Sequence, residues 1–275
     1  MSGTTTDKQR RLDSPVQMIL CGCYGRMGAA ITNMVGDRPD MDIVLGTDRA
    51  VTNTPRPYPV RESIGGDPVP ADVIVSYLPP TAKEDTLTLL DYSVKHKMPI
   101  VVCTTGLSAE MDAAIAAAAK ETAVFYSGNM SLGINVMTHI LKNVAGLLYD
   151  SGFDIELIEK HHNKKIDVPS GTALMLLDAL KQAVQTPLKT VTDRSQTLTA
   201  RSRDQIGVSA VRGGNIIGEH SVLFAGQNET IEITHAAQSR DVFADGTLKA
   251  AAFMQGKPPG LYTMEDLIQG FMAPA

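Results

Sequence analysis

The chain has 275 residues, 43% of them hydrophobic and 20% charged, which suits a folded protein with a substantial core in one or two domains. A net charge of -5 argues against a protein whose main task is to grip nucleic acid by its phosphates. No apolar run reaches the roughly 18 residues needed to span a bilayer, and the polar opening MSGTTTDKQRRLDS lacks a secretory apolar segment and reads as a loose tail. Cys21, Cys23 and Cys103 fit neither a disulfide framework nor a paired metal motif. At the ends of apolar strands they predict buried, reduced thiols and a cytoplasmic setting.

Taken in chain order, the first half alternates strand and helix. VQMILC (Val16–Cys21) is a short apolar run, followed by the glycine turn Gly22-Cys23-Tyr24-Gly25-Arg26-Met27-Gly28. Met27, Ala30, Ile31, Met34 and Val35 then recur at helical spacing. A strand over 43–46 ends at Thr47-Asp48-Arg49, and the Pro- and Thr-rich residues 51–70 read as a surface connection. Next come a strand over 73–78 stopped by Pro79-Pro80, a helix over 81–97 and a strand over 100–103. The turn Thr104-Thr105-Gly106, an alanine-rich helix capped by Ser108 and the strand AVFY (Ala123–Tyr126) complete the series. Such alternation predicts an α/β fold, a Rossmann-type doubly wound parallel sheet with helices on both faces. Ligands of that architecture bind at the carboxyl ends of the strands.

The glycine turn falls at such an end. Its backbone can approach a pyrophosphate, and the helix it opens offers unpaired amides and a positive dipole end. The motif by itself is weak, but strand, turn and helix are all in place. Asp48 closes the second strand roughly twenty residues past the turn, as a dinucleotide fingerprint expects. Asp48 can accept from ribose hydroxyls and Arg49 can pair with a 2′-phosphate, so NADH and NADPH are both admissible; a solvated turn pair is the plainer alternative.

After Asn129 the rhythm changes. A long helix is predicted over 132–149, an alternating strand over 154–159, a helix over 172–184, and strands over 206–212, 219–225 and 230–236. Turns at Gly213-Gly214-Asn215 and Gly226-Gln227-Asn228 suggest antiparallel connections. Two last helices, over 241–255 and 264–272, follow. The expected organisation is a dinucleotide-binding domain over 1–131 completed by 241–275. A substrate-binding and oligomerisation domain of α+β type, with a mixed or antiparallel sheet, then occupies 132–240.

Within the second domain lies EKHHNKKIDVPSGTAL (residues 159–174). Ser170 is a suitable N-cap, so Gly171 and Thr172 would present backbone amides at a helix start, where a carboxylate can sit. Lys165 adds a cation, and a histidine can give a proton near neutral pH. A capped helix, solvated lysines and a structural histidine are the plainer readings, yet all crowd into a dozen or so residues. His161, His162 and Asp167 have no standard ligand spacing, so no metal is expected.

This stretch closely resembles the signature of the bacterial 4-hydroxy-tetrahydrodipicolinate reductase (dihydrodipicolinate reductase) family. The resemblance covers nearly the whole chain. It includes the glycine turn, Thr104-Thr105-Gly106, Asn129-Met130-Ser131-Leu132-Gly133-Ile134-Asn135, and the run from Val211 to His220. It implies that NADH or NADPH delivers hydride to C4 of an unsaturated cyclic imine in the diaminopimelate route to lysine. By resemblance, His161 is the proton donor and Lys165 the catalytic lysine. Lys165, His162 and the amides of Ser170, Gly171 and Thr172 would hold the substrate's two carboxylates. Cofactor contacts fall on Gly22, Cys23, Tyr24, Gly25, Arg26 and Met27, on Asp48 and Arg49, on Cys103, Thr104 and Thr105, and on Ser127, Gly128, Asn129 and Met130. The family's homotetramer, built on the sheet of the second domain, is implied too.

Three positions depart from the family pattern: Cys103 replaces a usual glycine, Met130 a common phenylalanine, and no arginine follows Tyr77-Leu78-Pro79-Pro80. They bear on cofactor affinity and preference more than on the reaction. Two other readings share the nucleotide half, an amine or amino-acid dehydrogenase and a nucleotide sensor without turnover. Neither requires the histidine–lysine cluster.

Overall fold

Six residues form β1 (Val16–Cys21), and all but Gln17 are buried. Successive side chains of a strand point to opposite faces, so β1 is covered on both sides, the usual condition of a parallel sheet. The structure is a computed structural model that describes residues 14–50, 54–195 and 198–272. The polar N-terminal tail lies outside the described residues. By contacts the chain divides into two units, one running to Ser131 and resuming at Asp241, the other Leu132–Arg240.

In the first unit β1 joins β2 (Met41–Thr47), β3 (Val60–Arg61), β4 (Val73–Ser76), β5 (Ile100–Val102), β6 (Ala123–Tyr126) and β12 (Gly260–Tyr262). All pairings are parallel, in the order β12-β6-β5-β4-β1-β2-β3. The strand order reverses at β1, which has β2 on one side and β4 on the other. A reversal of this kind opens a crevice at the carboxyl ends of the two strands, where the glycine turn begins.

The helices of this unit are α1 (Arg26–Gly36), α2 (Lys83–His96), α3 (Ala109–Ala118), α6 (Asp241–Met254) and α7 (Met264–Met272). Ser108 caps α3, its hydroxyl accepting from the Met111 amide at 3.4 Å. α6 buries Ala244, Thr247, Leu248 and Ala251, a stripe at helical spacing whose small residues allow close approach to the sheet. The core gathers Ile19, Leu45, Ile74, Leu89, Ile100, Ile115 and Val124.

Two strands of this sheet escape the sequence reading. Part of the expected surface connection over 51–70 is β3, which pairs Val60 with Gly46 and Arg61 with Thr47; residues 51–53 lie outside the described residues. β12 adds to β6, which is therefore not the edge strand. With two and three residues, neither is long enough for an apolar period, and backbone hydrogen bonds define them.

In the second unit α4 (Leu132–Asp150) and α5 (Gly171–Ala183) pack on β7 (Asp154–His161), β9 (Gln205–Arg212) and β10 (Glu219–Ala225). Met137 and Leu141 of α4 and Leu176, Leu177 and Leu180 of α5 meet Ile155, Leu157, Val208, Val222 and Phe224. With β8 (Lys189–Val191) and β11 (Thr230–Ala236) the sheet has the order β11-β10-β7-β9-β8. It is mixed: β9 is parallel to β7 and β8, whereas β10 is antiparallel to β7 and β11.

The second glycine turn makes a true hairpin between β10 and β11. The first does not join neighbours, because β7 lies between β9 and β10. Its residues bond to the end of β7 instead: the Gly213 amide donates to His161 O at 2.9 Å, and Gly214 O accepts from Asn163 at 3.2 Å. Turn composition encodes a reversal but not which strand will stand beside which. Among the described residues no helix is long and apolar enough to cross a membrane.

Candidate active site

At the carboxyl end of β1 the chain turns through Gly22, whose φ of 82° lies in the region that favours glycine. A Cβ on Gly28 would collide with the Gly22 carbonyl and the Cys23 backbone, so the turn and α1 can pack this closely only with glycine there. Gly25 occupies the N-cap of α1 and no side chain caps it, which leaves an anion-attracting helix start. Asp48, just past β2, has Oδ2 held by the Tyr24 amide at 3.0 Å and Oδ1 by the Ala50 amide at 3.1 Å. Each oxygen retains a lone pair for a further donor.

Arg49 is engaged by Asp85 of α2, Nε to Oδ2 at 2.7 Å and Nη2 to Oδ1 at 2.8 Å. Both line a recess with Asp48, Glu62, Ile64 and Leu78. Arg26 is exposed and Met27 half-buried.

The other predicted cofactor residues follow β5 and β6. Cys103 is buried, its thiol 3.9 Å from the Thr247 hydroxyl and pushed up to about 12 by burial. That hydroxyl also pairs with the Tyr77 hydroxyl at 2.6 Å. The Cys103 side chain thus packs inward against α6. Thr104 Oγ1 donates to Leu78 O at 2.7 Å, and Thr105 is exposed. Ser127 Oγ donates to Asn129 O at 2.8 Å and Asn129 Oδ1 accepts from the Ser131 amide at 2.8 Å, a self-braced turn around Gly128 with Met130 buried behind it. Gly22 to Met27, Asp48 and Arg49, Cys103 to Thr105, and Ser127 to Met130 accordingly all follow carboxyl ends of strands β1, β2, β5 and β6 of one sheet.

In the second unit, β7 alternates half-buried and buried residues, and the buried set is Ile155, Leu157, Glu159 and His161. Period two therefore carries a carboxylate and an imidazole onto the face that elsewhere packs the core. An ionised carboxylate there costs several kcal/mol unless paired. Arg212, opposite His161 in the register with β9, supplies the pairing as a fork, Nη2 to Oε1 at 2.7 Å and Nη1 to Oε2 at 2.9 Å. His161 Nδ1 meets Glu159 Oε2 at 2.5 Å, and the Ser170 amide donates to Oε1 at 3.2 Å. Burial tends to raise the Glu159 carboxyl, but Arg212 and His161 outweigh it and hold it below the ordinary range. Burial lowers the His161 imidazole, Glu159 opposes that, and Lys165 and Arg212 lower it further; the result is below its usual value.

Ser170 is the N-cap of α5, its hydroxyl accepting from the Ala173 amide at 3.1 Å and pairing with His220 Nε2 at 3.1 Å. His220, opposite Glu159 in β10, is pressed down to about 4, by burial first and by the neighbouring His161 next. Lys165 Nζ pairs with Asp167 Oδ1 at 2.8 Å, and Asp167 also accepts from the Gly171 amide; Lys165 first and the amides second hold its carboxyl low. Among the described residues, Nδ1 of His162 is buried without a partner. The loop thus brings Lys165, Gly171 and Thr172 to the helix start, with His161 and His162 at the end of β7.

Ligating atoms of Glu159, His161 and His220 lie within 4.8 Å of one another. Arg212 already neutralises both oxygens of that carboxylate, so the chemistry of the group is that of an ion pair rather than a cation's ligand set.

Family models described as dihydrodipicolinate reductase, N-terminus, and dihydrodipicolinate reductase, C-terminus, match residues 16–130 and 133–268. The chain belongs to the dihydrodipicolinate reductase family. A 4-hydroxy-tetrahydrodipicolinate reductase of Clostridium tetani is 45% identical over 92% of this chain and 97% of its own length. One of Caldanaerobacter subterraneus is 44% identical over 92% and 98%. Among solved structures, the dipicolinate-bound dihydrodipicolinate reductase from Paenisporosarcina sp. TG-14 superposes with a TM-score of 0.74 at 19% identity, over 90% of this chain and 97% of that one. At that identity the likeness is one of fold.

For this member of the dihydrodipicolinate reductase family, sequence reasoning gave no role to Glu159, Arg212, Gly218 or His220. The signal for Glu159 was present: a charged residue in step with Ile155 and Leu157 on a core-facing strand has to be paired or functional. Arg212 and His220 needed the strand order, which the turn sequence conceals. Gly218 matters through space, because a Cβ there would stand 3.1 Å from His161 Nε2. Gly218→Ala is expected to lower kcat/KM about tenfold by crowding that nitrogen, with cofactor affinity unchanged; steady-state kinetics with full activity would contradict it.

Proposed function

We propose that His161 gives the proton and Lys165 holds a substrate carboxylate in the NAD(P)H-dependent reduction of 4-hydroxy-tetrahydrodipicolinate, by way of dihydrodipicolinate, to tetrahydrodipicolinate. The chain is an oxidoreductase of diaminopimelate and lysine biosynthesis. The reading is carried by one observation: a single strand, loop and helix start assemble an oriented imidazole, a lysine and helix-terminal amides. A cytoplasmic setting accords with the three cysteines, all buried and free.

The residues at the glycine turn fit a dinucleotide. The uncapped start of α1 suits a pyrophosphate, and the lone pairs of Asp48 suit ribose hydroxyls. A reduced nicotinamide, when bound, supplies the hydride that adds at C4 of the ring. The chain's own residues supply the proton and the charge. Lys165 and the Gly171 and Thr172 amides take one carboxylate, displacing Asp167 from Lys165. Ser170 keeps its amide on Glu159 and acts as the cap. His162, whose buried Nδ1 has no partner among the described residues, is the group that this reading leaves for the other carboxylate.

In the free protein burial holds the His161 ionisation below its usual value, against the opposing pull of Glu159. A dianion beside it favours the imidazolium, so substrate binding prepares the donor it needs. A donor must be protonated, hence kcat/KM should fall as pH rises through the His161 ionisation, with the midpoint below the usual 6.5. Turnover of NADH or NADPH with 4-hydroxy-tetrahydrodipicolinate is the test; no oxidation of either cofactor would overturn the reading.

Asp85 bears on cofactor choice. It occupies the Arg49 guanidinium that would meet a 2′-phosphate and adds a negative charge there. Asp85→Ala is expected to raise kcat/KM for NADPH relative to NADH by about two- to fivefold, the scale of one exposed ion pair. An unchanged ratio would remove Arg49 from the cofactor site. A homotetramer built on the five-stranded sheet is part of the same reading; Val211 and Ile231 of that sheet are exposed in the single chain, and light scattering from a monomer would contradict it.

A further inference from the structure

Glu159 is fully inaccessible, yet it touches no atom that the reaction changes. Its oxygens serve four donors: two from Arg212, the Ser170 amide and His161 Nδ1. A carboxylate serving as structural filler would need only the arginine. The fourth contact fixes the ring: with Nδ1–H donated to Oε2, the imidazole presents Nε2 at its far edge, over Gly218.

We infer that Glu159 is a positioning residue for the proton donor, holding the His161 ring in one tautomer and orientation, and that Arg212 governs how much of the Glu159 charge reaches that ring. The inference rests on the reading of His161 as proton donor. The groups that face the imidazole come from four elements: Glu159 on β7, Arg212 on β9, His220 on β10 with ring centroids 5.1 Å away, and Lys165 on the loop before α5. Asp167 acts at one remove, through Lys165 and through its carbonyl, which accepts from Arg212 at 2.8 Å.

These contacts set opposite signs for two substitutions. Removing the Glu159 charge withdraws the anion that stabilises the imidazolium. Removing the Arg212 charge leaves that anion uncompensated and stabilises it more. A scaffold role would cost activity in both cases but would not move the ionisation in two directions.

The experiment is the pH profile of kcat/KM for Glu159→Gln and Arg212→Gln in the full chain, with NADPH binding followed by fluorescence as the check of fold. Glu159→Gln should lower kcat about tenfold or more and move the basic limb down by about one pH unit. Arg212→Gln should move the limb up by a similar amount. In a His161→Gln background, Glu159→Gln should cost nothing further, since the two act as a unit. Limbs that stay in place or move the same way, while His161→Gln is slow, overturn the positioning role alone. His161→Gln with wild-type turnover overturns the proton-donor reading beneath it. Should Glu159→Gln fail to bind NADPH, Arg212→Gln decides: a limb that does not rise overturns the inference.

Discussion

Replacing His161 by glutamine is expected to lower kcat about 100- to 10,000-fold, the range that a positioned general acid contributes, while leaving NADPH affinity unchanged. The cause is local. His161 ends β7 with Nδ1 on Glu159 and Nε2 over Gly218, so the ring is anchored at one nitrogen and faces a residue without a side chain at the other. An amide can satisfy Glu159 but carries no proton that it can release near neutral pH. Dicarboxylate binding should survive, because Lys165 and the start of α5 are untouched. Stopped-flow measurement of nicotinamide oxidation separates the two effects. A variant that turns over like the wild type would remove His161 from the mechanism.

The second large effect is expected from Lys165→Ala. A hydrogen bond to a charged partner is worth about 1.5–3 kcal/mol, so kcat/KM should fall roughly 10- to 150-fold. KM should rise as well as kcat fall, since on this reading the ammonium would meet a substrate carboxylate in the ground state and keep the ring aligned with the proton donor in the transition state. The substitution also frees Asp167, which now pairs with Lys165. That carboxylate would then stand unneutralised near the Gly171 amide and repel the incoming dianion. Loss confined to cofactor affinity would show that the lysine had been assigned to the wrong site.

Much of this architecture was legible in the sequence because its elements are long enough to show a period. The β1 strand, the α4 and α5 helices and the hairpin between β10 and β11 announce themselves by apolar spacing, a serine cap or a glycine turn. What stayed hidden is of two kinds. The short strands β3, β8 and β12 are too brief for any pattern and owe their place to backbone pairing. The insertion of β7 between β9 and β10 is a non-local choice, and it alone brings Arg212 and His220 to the two sides of Glu159 and His161.

At the candidate site, the residue types could be read from the stretch 159–174, but their present partners could not. Ser170 gives its amide to Glu159, Lys165 holds Asp167, and Arg49 holds Asp85. Each is an internal contact between groups that sequence spacing offers equally to a ligand. Two of the three, Lys165 and Arg49, are cations whose present carboxylates stand where the reading puts an anion of substrate or cofactor.

The most direct measurement is a crystal structure of the protein with dipicolinate, the planar dicarboxylate nearest in shape to the substrate. One carboxylate should rest on Lys165 Nζ and the amides of Gly171 and Thr172, with Asp167 displaced and His161 Nε2 facing the ring. Dipicolinate found elsewhere, with Asp167 still paired to Lys165, would contradict the assignment of this loop as the place where the dianion is held and protonated.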